Sequence, residues 1–438
     1  MPTAPADVAH LLRRAGFGGD AARIAALASL DLPAVVDAVL DTTANPADIP
    51  PAEFADANKG DYERFVALTQ QWYDRMATSP TPIVEKMTLF LHGHFTTQSA
   101  KVDWPKVIRE QISLYRASAL GDFQVLAQAM AINPAMLMYL DNDRNVKGAP
   151  NQNFGRELLE LFLLGVGNYT EADVEAAAKA WTGHSVTVVD ADRTATYVFN
   201  ANKHDTGTKT FLGKTGNLDG PDTITHIFTD TRLQMIMAKF IAAKLWTFFA
   251  YPDPPAAIVD ALAAVFIASN FQIKPLLRAL FLRTEFYSST AKLGLVRSPV
   301  EWVTAILRGT TLTAKNLNPQ WYQEEMGQEL FNPPNVAGWK NNLYWISPSA
   351  AGAREQFVDH VADVMGQKDT KVVIDTTGSA PDVAIKMVLD QFQITTPAAH
   401  TNQVLTNWIT AQRAAKQGFI EPGNLARLVM LSPDLQMA

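Results

Sequence analysis

The chain contains no cysteine in 438 residues. Structural disulfides, thiolate metal sites and cysteine nucleophiles are thereby excluded, although either redox compartment stays open to it. Long apolar runs are lacking too. The most apolar long stretch, MIMAKFIAAKLWTFFAY at 235–251, is interrupted by Lys239 and Lys244 and falls short of the roughly 20 residues that span a bilayer. No basic cluster is present. The 37 Lys and Arg are scattered among 44 Asp and Glu, a formal charge of −7, so nothing suggests a nucleic-acid footprint. The opening MPTAPADVAHLLRRAGFGG has no apolar segment after a basic start, so no secretory signal is read there and the chain as given reads as cytoplasmic. Repeats of fixed period and low-complexity segments are also missing.

What is present is a globular composition, 47% hydrophobic and 18% charged, in a chain long enough to bury a large core. Helical period dominates. Asp20, Asp61 and Thr81-Pro82 mark helix starts, and Thr170 with Asp173 fits a capping box. Further helices are expected near 104–119, 121–132, 153–164, 231–249, 297–309, 353–366 and 400–416. Residues 185–213 differ, being rich in Val, Thr, Tyr and Phe with turn residues between them, which reads as two or three short strands. The stretch 331–348, FNPPNVAGWKNNLYWISP, reads as an ordered Pro/Trp loop. The expected fold is mainly α: one large multi-helix body over 1–438 with a small β-hairpin insertion near 185–213.

Three stretches hold candidate chemistry. In NQNFGRELLELFLLGVG the apolar residues surround most of the helix, yet Asn153, Arg156, Glu157 and Glu160 share one stripe at about 3.6 residues per turn. Arg156 and Glu160 stand at i,i+4 and are expected to pair, leaving Glu157 in need of a partner. The structural reading is an ion-pair network between helices; the functional one is a charged cleft. MTLFLHGHFTT supplies His92 and His94 around Gly93, where the helix is expected to end. His94 and Glu160 are the candidate ligands of a divalent metal ion that would activate water, with Arg156, Glu157, His204 and Asp205 as catalytic candidates. His204 and Asp205, on the β insertion, are expected to close over the opening as a lid.

Other matches fail. Asp141-Asn142-Asp143-Arg144-Asn145 lacks the glycine and glutamate of a calcium loop, with Val146 and Gln152 in their places, and reads as a turn that sets the next helix. Asp205-Thr206-Gly207, with a loose second copy at 375–378, has the wrong fold around it for an aspartic protease. Gly213-Lys214-Thr215 lacks the glycine spacing of a phosphate loop.

Segments along nearly the whole chain resemble a large bacterial family known only as domain of unknown function number 1800. They include LLRRAGFG, MTLFLHGHF, YLDNDRNVKGAPNQNFGRELLELFLLGVGNYTEADVEAAAKAWTG, KHDTGTKTFLG, KLWTFF, RSPVEWV and LFNPPNVAGW. Gln152 stands where that family commonly has glutamate, which removes a carboxylate from the helix start, and His184 where it commonly has tryptophan. The resemblance assigns no activity. It implies a partner by association, because such genes often neighbour a second family resembling alkaline phosphatases and sulfatases that frequently carries a twin-arginine export signal. Two functions follow as expectations: an enzyme, hydrolytic with metal assistance or redox, or a non-catalytic accessory or scaffold subunit co-exported in folded form with a phosphatase/sulfatase-like protein.

Overall fold

Helices begin where the sequence writes their caps. Asp20, Asp31, Asp122, Asn133 and Asp230 each accept a backbone N–H from the first turn of the helix that follows. Thr170 and Asp173 form the reciprocal box ahead of helix Glu171–Ala180. Proline stands in the first turn of Pro82–His94, Pro105–Ser118 and Pro299–Thr310, where its missing N–H leaves nothing unpaired. The computed structural model describes residues 1–366, 376, 378–416 and 421–438. Asp375 and Thr377, of the second Asp-Thr-Gly-like stretch, lie outside them.

Among the described residues the architecture is 62% helical, with 22 α-helices and two small antiparallel sheets. The first hairpin joins His184–Val189 to Thr194–Phe199, His184 opposite Phe199 and Val189 opposite Thr194. A second and smaller one joins Lys209–Phe211 to Lys214–Gly216, so the insertion holds four strands in two hairpins and runs a few residues past 213. Buried apolar side chains pack as one cluster from Val8 to Leu435. No described helix is long and apolar enough to cross a membrane.

Three local features place the site. The helix expected at 153–164 is α-helical only over Gln152–Glu157 and then widens into a π-turn, Leu158–Leu163, with the N–H groups of Leu164 and Gly165 both donating to Leu159 O. It sits close against Glu171–Ala180, since a Cβ added to Gly155 would lie 3.0 Å from Ala177 Cβ. Helix Pro82–His94 runs one residue past Gly93, so His92 and His94 diverge by about 200° and serve different neighbours. The loop after Phe331 then lies on the end of that helix. A Cβ on Gly338 (φ +79°) would meet Gly93 O at 2.3 Å, and Phe331 N donates to His92 Nε2 at 3.0 Å.

Candidate functional site

His94 is buried, and both ring nitrogens are used. Nε2 stands 3.1 Å from Phe162 O, which can only accept, so that nitrogen carries the proton. Nδ1 therefore accepts, and Lys244 Nζ donates to it at 2.9 Å. Lys244 also donates to Leu161 O at 3.2 Å and lies over the Phe240 ring. The two carbonyls belong to the last turn of the π-helix, where backbone acceptors have no partner of their own. Helix 152–163 thus reaches His94 through its backbone terminus. Its glutamates play no part in that contact.

Lys244 borders a cavity of about 340 Å³ that is also lined by Phe90, Gly93, His94, Phe240, Phe248, Arg14, Ser298, Glu301 and parts of the 337–345 loop. Burial pulls the Lys244 amine down to about 8, and no carboxylate pairs with it among the described residues. His94 is driven well below the ordinary imidazole range by burial and by Lys244, which keeps it neutral.

The charged stripe lies elsewhere. Arg156 makes a bidentate pair with Glu171, 2.7 Å in each arm, instead of the expected pair with Glu160. The next helix starts close by and offers its first carboxylate in better fork geometry. Glu160 accepts from the Tyr169 hydroxyl. Glu157 is half-buried, its pKa raised by burial and then by Glu160. Neither glutamate borders the cavity. This answers why an apolar helix carries them: its polar stripe is the partly exposed side.

The residues present do not fit the expected divalent metal. His94 has no free lone pair, Glu160 is occupied by Tyr169, and among the described residues no group of three or more His, Asp or Glu side chains is placed to hold an ion. His204 and Asp205 are likewise committed, which leaves no free lid. His204 Nδ1 donates to Thr182 O at 2.8 Å, Asp205 N donates to Thr182 Oγ1 at 2.8 Å, and Asp205 Oδ1 accepts Gly207 N in a tight turn. They pin the insertion to the end of helix Glu171–Ala180. The asparagine-rich turn does the same from the other side. Asn142 Nδ2 donates to the carbonyls of Trp181 and His184, and Asn145 Nδ2 to Ala178 O.

Of the six candidates, the cavity takes in His94 alone. Sequence reasoning missed Lys244, Arg14, Ser298 and Glu301. A signal existed for Lys244, a lysine set between Ile241-Ala242 and Leu245-Trp246 on an otherwise buried helix face.

Fold and cavity together define a mainly α protein with a pocket whose lining includes several aromatic rings and the basic groups Arg14 and Lys244. The chain belongs to the family described as "Protein of unknown function (DUF1800)", which it matches over residues 10–437. No curated protein and no solved structure matches it.

Proposed function

We propose that the protein is an enzyme acting on a small molecule in the cavity beside His94, with the Lys244 amine as its reactive group. The observation that carries this is the pairing of that amine. Both of its fixed partners, His94 Nδ1 and Leu161 O, are acceptors. In the neutral form its two N–H groups are spent on them, and its lone pair is left for the cavity. A lysine with its pKa lowered to about 8 by burial is neutral in a useful fraction near pH 7.5. Such an amine attacks a carbonyl carbon, forms an imine and expels water, or takes a proton from a bound substrate. His94 holds it in place. Arg156, His204 and Asp205 have structural tasks in this reading, tying helix 152–163 and the β insertion to helix Glu171–Ala180 and its end, while Glu160 holds Tyr169 and Glu157 stays on the partly exposed stripe.

Trapping tests it. Incubation with a small neutral aldehyde and borohydride should alkylate Lys244 ahead of surface lysines, as read by peptide mass spectrometry, and Lys244→Met should lose that label. Alkylation spread over surface lysines with none at Lys244 ends the proposal.

One observation favours the accessory-subunit reading. Leu343, Tyr344 and Ile346 are 71%, 63% and 63% exposed on the loop whose Asn341, Asn342 and Trp345 border the cavity. Large apolar side chains clustered at a surface mark contact sites. A phosphatase/sulfatase-like protein, co-exported in folded form, is the partner proposed for them. Co-expression followed by size exclusion should give a joint peak that Leu343→Ser/Ile346→Ser removes. Two separate monomer peaks for the unmodified pair would exclude this reading.

A further inference from the structure

We infer that the cavity takes a ligand bearing an anionic group, a carboxylate or a phosphate ester, seated at its Arg14 end. This rests on reading the cavity as a ligand site, and the charge balance around it supplies the argument. Arg14 is 2% exposed; Nη2 donates to the carbonyls of Ala291 and Ala250 at 2.6 and 3.1 Å, and its Nε is buried with no partner. Lys86, Arg297 and Arg354 are buried too, and Arg297 Nη1 and Arg354 Nε also lack partners.

Of these four cations Arg14 alone borders the cavity, and the one carboxylate that borders it, Glu301, is already occupied. It binds Lys86 Nζ and accepts Ser298 N as the cap of its own helix. Among the described residues Arg14 bonds only to carbonyls, and burying a guanidinium without a carboxylate of its own is costly unless a negative charge joins it.

Two neutral groups bordering the cavity are turned to suit an anion. Asn342 and Gln328 both border the cavity, and each has its amide oxygen fixed by a backbone N–H, from Val296 at 2.9 Å and Val300 at 3.0 Å. Their free ends are therefore the NH₂ groups, which can only donate. An anion in this cavity would meet the Arg14 guanidinium and two amide donors, with the Lys244 amine bordering the same space to face the rest of the ligand.

Calorimetric titration of inorganic phosphate and of succinate into the full chain, at fixed ionic strength, tests this. At least one should bind with a 1:1 stoichiometry, and the two arms separate the phosphate class from the carboxylate class. Asn342→Asp keeps the oxygen that Val296 N needs but turns the donor into a negative charge, and should weaken binding at least tenfold with an unchanged melting curve. Binding of neither anion, or binding that Asn342→Asp leaves intact, overturns the inference. Aldehyde trapping at Lys244 is scored separately. Anion binding without trapping removes the imine chemistry and keeps the anion site; trapping without anion binding does the reverse.

Discussion

At the scale of single residues, the pair His94–Lys244 sets the behaviour of the cavity. An ordinary lysine amine titrates near 10.4, so it is almost wholly charged at neutral pH. With the Lys244 value at about 8, its rate of alkylation should rise with pH and level off above about 8, two units or more below the levelling of surface lysines. A profile at Lys244 that tracks the surface lysines shows that the amine is solvated. His94→Phe puts an apolar ring in place of the imidazole, strands Phe162 O and removes the acceptor for Lys244, so it should cost about 1–3 kcal/mol in chemical denaturation. Part of this was legible in the sequence. A histidine at a helix end is visible as a polar group in apolar company, and His94 does border the cavity. Arg14 and Lys244 were not singled out, because a charged residue inside an apolar run reads first as an interruption of the run. What makes them notable is the want of a carboxylate partner, and that is a property of space, not of spacing.

At the scale of elements, caps and periodicity placed most helices to within a few residues. The π-turn at Leu158–Leu163 escaped, since one residue of extra width per turn leaves hardly a mark on an apolar pattern. Its effect is large locally, because it decides which carbonyls are free for His94 and Lys244. The stripe was misread for a related reason. Spacing along one helix pairs Arg156 with Glu160, while the packing of the next helix brings Glu171 nearer. That pair is solvent-exposed, and Arg156→Ala should leave the unfolding midpoint unchanged within error. The asparagine clamp should behave differently. Asn142 is buried and its amide serves two carbonyls, so Asn142→Ala should cost about 1–3 kcal/mol and loosen the insertion, raising proteolysis within 184–216. Equal stability and equal cleavage would show that the turn is incidental.

At the scale of the whole molecule, the mainly α class and the β insertion followed from composition and period, because both are averages over many residues. Stability in acid follows from an average of another kind. Burial lowers His10 to about 2, His92 to about 3 and His184 to about 4, and His94 falls far below its ordinary value. All four stay neutral in the native state while their unfolded counterparts bind protons below about 6.5. Their contribution is therefore complete above that pH and is lost as pH falls, by up to about 1.4 kcal/mol per unit for each histidine. Denaturation midpoints measured from pH 7 to pH 5, above the ordinary carboxylate range, should drop steeply. A flat profile across that window would mean the rings are hydrated.

The walls of the cavity come from residues near 14, 90, 244, 298, 328 and 340, six stretches separated by most of the chain. No fragment can hold the pocket, so whatever binds there binds the native state only. Occupancy then feeds into the folding equilibrium of the entire polypeptide: a compound at a hundred times its dissociation constant adds about 2.7 kcal/mol. A melting-temperature screen of small metabolites, needing no assay of turnover, should therefore report the natural ligand as an upward shift that Asn342→Asp abolishes.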